Sequence, residues 1–241
     1  MALTKVIGSG VGELTNKVGL GLSSPAAALH VQTSTDGTGL SGDDIYVARF
    51  HNQEATSDRS FGLDIQAGSS TTDQALRIKD HDGTNTLMIV DGLGHVTKPK
   101  QPAFHVTMDG DQNNMTVGGS DNTIIQFDDE RFDQNADFNT STHTFTAPVT
   151  GRYLLSYSIR MQNIDTASTS VSIILTTSNK GYATYQDMAG FASDFDYYPF
   201  TTTLLVDMDV NDTAKVEYYV NGGAAQNDIS QYSYFTGHLV C

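Results

Sequence analysis

The second half of the chain alternates apolar and polar residues, and this two-residue period constrains the fold more than any other feature of the sequence. Within 142–161, one face of an extended strand carries only large apolar side chains: Tyr153, Leu155, Tyr157 and Ile159. The candidate strands of this half are 102–108, 122–132, 170–177, 181–187, 200–209, 214–221 and 232–241, together with two strands in 142–161. These two are joined by a turn at Pro148 and Gly151, in which glycine permits a tight reversal. Strands at this spacing, with turn residues between them, predict an all-β sandwich or jelly roll.

The first half has shorter candidate strands, separated by Asp-Gly and Gly-Ser turn signals. They are 18–22, 27–33, 44–52, 61–68, 75–80 and 86–91. Such strands are too short and too few to enclose a core within one chain. Hydrophobic residues make up only 38% of the whole sequence, which agrees with this. The pattern therefore predicts that several copies pack together into a β-rich shaft.

The stretch KPKQP at 98–102 separates the two halves, because two prolines and two lysines interrupt an otherwise acidic sequence. The glycine-rich sequence near the N-terminus is typical of an extended attachment segment. The predicted organisation is an attachment segment at 1–23, an interdigitated trimeric shaft at 24–98 and a head at 99–241.

The net charge is −15, with 28 acidic and 13 basic residues. An acidic chain repels nucleic acid and anionic membrane surfaces, so neither is expected as a partner. Cys241 is the only cysteine, which excludes an intrachain disulfide. The N-terminus lacks the apolar stretch of a signal peptide, and no window is apolar enough for membrane insertion. The sequence therefore predicts a protein that is made in a cytoplasm and leaves the cell as part of a released particle.

Motifs that carry chemistry are missing from the sequence. The seven histidines lack close metal-ligand spacing, and no GxSxG nucleophile motif occurs. We therefore expect no enzyme and no cofactor. Calcium remains an alternative to plain acidic turns, because carboxylate-rich loops can supply its oxygen ligands. The candidate acidic groups are Asp128-Asp129-Glu130, Asp194 with Asp196, and Asp207 with Asp209 and Asp212.

The second half resembles the C1q/TNF-like jelly-roll family over residues 102–241. FTAPVTGRYLLSYS at 145–158 is similar to the family's F-T-A-P-x-x-G-x-Y signature, and YFTGHLV at 234–240 to its closing strand. The resemblance implies a compact homotrimer with aromatic residues near its three-fold axis, and a family tendency to carry calcium near that axis or at the apex. The candidate axis residues are Tyr157, Tyr218, Tyr219 and Phe235; the alternative places them in the core of one chain.

The first half resembles bacteriophage tail-fibre and related appendage proteins. KVGLGLSSPAAALHV at 17–31 is similar to a phrase that recurs in them, with departures at Leu22 and Ala28. The join is the more specific feature, where G-x-V-T-x-P-x-Q-P-A-F leads directly into the head. The matching residues are Gly94, Val96, Thr97, Pro99, Gln101, Pro102, Ala103 and Phe104. This resemblance implies a homotrimeric virion fibre that attaches to other tail or capsid proteins through its N-terminus.

The segment 189–200 combines aromatic residues with turn residues and acids, a composition typical of recognition surfaces. It is predicted to contact either a receptor or a neighbouring subunit, through Phe191, Phe195, Tyr197, Tyr198 and Phe200. The predicted function is host attachment, by binding of a surface glycan or protein. The alternatives are a capsid- or vertex-attached decoration fibre, a secreted C1q-like lectin and a polysaccharide depolymerase spike.

Overall fold

The structure is a computed structural model that describes residues 18–20, 29–31, 57, 63–115 and 122–241. Every regular element in these residues is a β-strand, so the all-β prediction is confirmed for this part of the chain. No helix there could span a membrane. Near the N-terminus, β1 (Val18–Leu20) and β2 (Leu29–Val31) pair in parallel. The predicted strand at 44–52 lies outside the described residues.

A small antiparallel sheet precedes the head and is called the collar sheet below. It consists of β3 (Gln74–Lys79), β4 (Thr86–Asp91) and β5 (Val96–Thr97), in that order across the sheet. Two of its strands were predicted from alternation at 75–80 and 86–91. The prediction of a strand at 61–68 was wrong for residues 63–68, which form none.

The head is a sandwich of two six-stranded sheets. The first sheet has the order β13-β12-β15-β10-β9, with β7 added against β15; the second has the order β14-β11-β17-β6-β8, with β16 added against β11. Their bounds are β6 (Ala103–Thr107), β7 (Thr123–Ile124), β8 (Asp129–Asp133), β9 (Phe138–Asn139), β10 (Thr144–Thr146), β11 (Gly151–Ile164), β12 (Ser170–Thr177), β13 (Gly181–Asp187), β14 (Phe195–Met208), β15 (Thr213–Asn221), β16 (Asp228–Ile229) and β17 (Tyr234–Leu239).

The core lies between these sheets and follows the alternation of the strands. The four apolar residues picked out in β11 are all buried, with exposures of 0–1%. Aromatic rings fill the centre: Phe104 stacks on Phe145 at 4.7 Å between ring centroids and meets Phe235 edge-on at 5.0 Å. Offset and edge-on aromatic pairs add to the stabilisation from burial itself. The two-residue period therefore decides which face of each strand meets the core.

The segment before β11 turns as its proline and glycine predict, but the glycine is needed for a different reason. A side chain at Gly151 would approach the backbone oxygen of Cys241 within 2.7 Å. Close packing against the C-terminus therefore requires glycine here, rather than a tight reversal of the backbone. The preceding turn is held by the hydroxyl of Tyr153, which donates to the carbonyl oxygen of Val149 at 2.7 Å.

The linker between collar and head is bonded to the head. Gln101 Nε2 donates to the carbonyl oxygen of Leu239 at 2.6 Å, and Gln134 Nε2 donates to the carbonyl oxygens of Lys98 and Gln101 at 2.9 and 2.6 Å. The N–H of Leu239 donates to Pro102 O at 3.0 Å. These bonds fix the point at which the collar sheet leaves the sandwich.

Candidate interaction surface

The second sheet of the head turns one face away from the core, called the head face below. Strand register places its residues in rows across the sheet, such as Thr203, Ser156 and Thr236. The head face comprises Ala103, His105, Thr107, Phe132, Leu154, Ser156, Ser158, Arg160, Thr201, Thr203, Leu205, Tyr234, Thr236 and His238.

Small hydroxyl side chains occupy the middle of the head face. Ser156 Oγ lies 2.8 Å from Thr203 Oγ1, and Thr236 Oγ1 donates to the carbonyl oxygen of Phe104 at 2.7 Å. Because these hydroxyls already have partners within the sheet, a second protein surface can cover them without leaving them unpaired. Their small size also permits close approach of a partner.

An aromatic cluster flanks the hydroxyls on one side. The ring of His105 lies 6.1 Å from that of Phe132 and 5.5 Å from that of Tyr234, and Phe132 is 52% exposed. Burial lowers the pKa of His105, and the charge of Arg131 lowers it further. His105 is therefore favoured in its neutral, more apolar form. On the other side of the face, Leu205 is 56% exposed.

At one edge of the head face, Arg160 lies between two exposed tyrosines. Its guanidinium carbon is 4.3 Å from the ring centre of Tyr197 and 5.2 Å from that of Tyr232. The tyrosines are 56% and 71% exposed. Contacts of this kind contribute about 0.5–1 kcal/mol each at exposed sites. They hold two large amphipathic rings in place at the surface, and we call the three residues the Arg160 clamp.

A polar pocket of about 490 Å³ adjoins the Arg160 clamp, with Tyr197 in its wall. Its other lining residues are Asp111, Asn113, Gln162, Asn163, Asp196 and Asp228. Internal hydrogen bonds set this lining: Gln162 Nε2 donates to Asp111 Oδ2 at 3.0 Å, and Asn163 Nδ2 donates to Asp228 Oδ2 at 2.5 Å. The pocket therefore presents carboxylate and amide groups beside an aromatic ring.

The predicted aromatic segment 189–200 is only partly a surface. Strand β14 extends back to Phe195, so much of the segment is strand rather than turn. Phe200 is buried, and Phe195 and Tyr198 pack half-buried against the core. Phe191, at 37%, and Tyr197, at 56%, keep the most exposure. Of the five candidates, these two are best placed to contact a receptor or a subunit.

Three of the four candidate axis residues lie inside the sandwich of a single chain. Tyr157, Tyr218 and Phe235 are 0–1% exposed, so the structure assigns them to the intrachain core, the alternative given above. Tyr157 Oη lies 2.9 Å from Thr184 Oγ1, and Tyr218 Oη accepts from Asn227 Nδ2 at 2.8 Å. Only Tyr219 keeps surface that a partner could cover.

The candidate calcium ligands mostly serve as hydrogen-bond acceptors within the protein. Asp128 accepts from the N–H of Asp109, and Asp212 accepts from the N–H of Asp209. Asp194 Oδ1 accepts from both N–H and Oγ1 of Thr166. The backbone hydrogen bond from Thr166 is the main cause that lowers the pKa of Asp194. Among the described residues, no group of three or more acidic, histidine or cysteine side chains is arranged to hold a metal.

The sequence-based argument missed Arg160, Tyr232, His105, Phe132 and Leu205. A signal for part of this set was present, because residues that alternate with a buried series point outward. In β11, that rule identifies Arg160 once its apolar face is assigned to the core. Tyr232 had no comparable signal, since it lies before β17 and reaches Arg160 only through the tertiary fold.

The head matches one protein-family model. The family model of the C1q domain matches residues 103–240. The globular domain of zebrafish complement 1qA protein is 18% identical, with a TM-score of 0.42, covering 59% of this chain and 98% of that one. Eiger TNF from S. frugiperda is 12% identical, with a TM-score of 0.43 and coverages of 58% and 91%. Murine APRIL is 11% identical, with a TM-score of 0.42 and coverages of 58% and 100%. None of the curated proteins compared matches the chain.

Proposed function

The chain belongs to the C1q domain family, and from that premise we propose that it is a non-enzymatic, homotrimeric fibre protein of a bacteriophage virion. Its head at 99–241 attaches the particle to a glycan or protein of the host surface. Its first 23 residues attach it to other tail or capsid proteins. The join between collar and head is the observation that carries this proposal.

The join supports a fibre because it is short and bonded to the head. Only residues 98–102 separate β5 from β6. The hydrogen bonds of Gln101 and Gln134 described above hold this linker against the sandwich. A fibre must hold its head in a defined direction, and a bonded linker does so where a flexible one would not. The same residues carry the resemblance to phage appendages.

The head face supports the homotrimer. Paired hydroxyls at its centre and exposed Phe132 and Leu205 at its sides suit burial against another copy. In a closed three-fold assembly, one patch of each chain contacts a different patch of the neighbouring chain. The Phe132 side and the Leu205 side of a single head face can supply these two patches. The apolar side chains would then lose contact with water without burying an unpaired charge at the centre.

The Arg160 clamp and the neighbouring polar pocket support host binding. Rigid tyrosines next to carboxylate and amide groups offer a stacking surface together with hydrogen-bonding groups, which suits saccharides and polar peptide surfaces. Three heads in one fibre, and several fibres on one particle, would raise a weak contact to high avidity.

The homotrimer is tested by measuring the native mass of the full chain by light scattering. We expect three times 26.0 kDa. A mass of 26.0 kDa at micromolar concentration would rule out the homotrimer. The virion assignment is tested separately, by gold-labelled antibodies against the chain on phage particles from producing cultures. Labelled particles are expected, and the position of the label distinguishes tail from capsid attachment.

Host binding is tested with fluorescent full-length protein on bacterial cells that the labelled phage infects. A Tyr197→Ala, Tyr232→Ala double variant should bind about tenfold or more weakly, since exposed aromatic anchors dominate contact energies. The matched control is Tyr185→Ala, because Tyr185 is 70% exposed but lies on the other sheet. Equal loss in both variants, or no loss in either, would remove the clamp as the host contact.

A further inference from the structure

Five apolar residues lie together on one face of the collar sheet, with Thr86 and its partner Lys79 at the end of that face. Its register places Leu76 opposite Val90 and Ile78 opposite Met88, and Val90 is also opposite Val96. Directly paired residues point to the same side of an antiparallel sheet. One face therefore carries the following five residues, called the apolar collar face: Leu76, Ile78, Met88, Val90 and Val96.

This face is open to solvent in a single chain. Ile78 is 44% exposed and Val96 is 53% exposed, and Leu76 is 36% exposed. On the opposite face, Leu87 lines a cavity together with Pro102 of the linker and Val240 of the head. A half-buried sheet normally turns its polar side to water. Here the apolar side is the one without a partner in the described residues.

The linker argues for the identity of the partner. Five residues, 98–102, connect β5 to β6, so each collar sheet stays within about 17 Å of its own head even when the linker is fully extended. In a trimer of heads, three collar sheets are therefore confined to one small volume. Tethering of this kind corresponds to an effective concentration in about the millimolar range.

The chemistry of the face suits contact with copies of itself. All five positions are apolar, and Lys79, at the end of the sheet, donates to the carbonyl oxygen of Gly83 at an exposed site, so three copies can meet at these five positions without burying a charge. Arg77 of β3 pairs with Ile89 and points to the other side of the sheet. A three-fold axis requires each copy to present the same surface, and an uncharged apolar face satisfies that requirement.

We propose that the apolar collar faces of three chains pack against one another, closing the three collar sheets into a three-sided prism on the axis of the head. This inference rests on the homotrimer proposed above and identifies the surface that covers the apolar collar face. The prism makes the collar a second trimer contact, continuous with the head through the bonded linker.

Thiol labelling of the full-length chain tests the prism. In a Cys241→Ser background, Ile78→Cys places a thiol on the apolar collar face, and Leu93→Cys places one in the turn between β4 and β5, where Leu93 is 58% exposed. In native protein under reducing conditions, N-ethylmaleimide should modify Ile78→Cys about tenfold or more slowly than Leu93→Cys, because a packed thiol reacts only when the structure opens. In unfolding concentrations of urea the two rates should be equal.

The native mass of each variant is measured in parallel, so that the two proposals fail in different ways. Equal native labelling rates in a protein with trimeric mass would overturn the prism and leave the homotrimer standing. A monomeric mass of the unsubstituted chain would overturn the homotrimer itself. If Ile78→Cys fails to fold, Val96→Cys replaces it, because Val96 lies on the same face and is 53% exposed.

Discussion

Asn227 joins the loops that border the polar pocket, and its replacement by alanine should destabilise the head strongly. Asn227 is completely buried. Its Nδ2 donates to Tyr218 Oη at 2.8 Å, and its Oδ1 accepts from the N–H of Asp165 at 2.7 Å. Burial raises the pKa of Tyr218 to about 12, so this hydroxyl is neutral at any ordinary working pH. Asn227 is thus the shared partner of two groups from distant parts of the chain, one in the loop after β11 and one in β15.

The expected cost follows from the groups that lose their partner. Asn227→Ala leaves the N–H of Asp165 and the hydroxyl of Tyr218 buried without a hydrogen bond. Each unsatisfied buried group costs about 1–3 kcal/mol, so the two together cost about 2–6 kcal/mol. Taking a central value of about 4 kcal/mol, and about 2–4 °C for each kcal/mol in a domain of this size, Tm should fall by roughly 8–16 °C.

The assay is thermal unfolding followed by far-ultraviolet circular dichroism, at equal protomer concentration because the stability of an oligomer depends on it. The matched control is Asn135→Ala. The Nδ2 of Asn135 is buried but has no hydrogen-bond partner, so its removal should cost less than about 1 kcal/mol. Equal shifts in the two variants, or a shift below about 2 °C for Asn227→Ala, would refute the argument from lost partners.

Two further predictions follow from packing and from charge. Gly237→Ala should destabilise the head by about 1–3 kcal/mol, because a side chain there would meet Leu155 Cδ2 at 2.5 Å and the ring of Phe104 at 2.7 Å. Denaturant unfolding measures this loss. An unchanged denaturation midpoint would contradict the prediction, since it would show that the neighbouring side chains move aside at no cost in stability. Hydrogen bonds from Thr166 are the chief cause that lowers the folded-state pKa of Asp194. The Asp194 carboxylate therefore stabilises the fold above its unfolded-state pKa, and this stabilisation is lost as pH falls through its folded-state pKa. Asp194→Asn should therefore lose stability near neutral pH and show a weaker decline on acidification, and an unaltered pH profile would contradict this.

The alternation in the head predicted its long strands closely, because each one buries a single face. The prediction of one strand at 122–132 was wrong, since that segment forms the two short strands β7 and β8. Strands β12 and β13 coincide with the predicted 170–177 and 181–187. The aromatic segment was predicted less well: its turn residues concealed the extension of β14 back to Phe195. That extension depends on pairing with Ile164 of β11, a contact across the sheet that local sequence does not reveal.

The residues of the candidate surfaces also divide into those that the sequence predicted and those that only the tertiary structure revealed. The resemblance to the C1q/TNF-like family made the aromatic residues Tyr157, Tyr218 and Phe235 candidates for a subunit axis. Their positions in the strands place them on the same side as the buried residues, and in each case the opposite sheet completes their burial. The Arg160 clamp depends on residues from three places in the chain, 160, 197 and 232. Sequence spacing cannot bring such residues together, whereas strand register does.

By itself, the sequence determined the all-β class and the likeness of 102–241 to the C1q family, because these depend on period, turn residues and local motifs. Only the tertiary structure decided which aromatic residues face the core and which face solvent. It also decided that the collar sheet leaves an apolar face uncovered. The physical reason is that exposure belongs to a side chain together with everything packed around it, and most of those neighbours are distant in sequence.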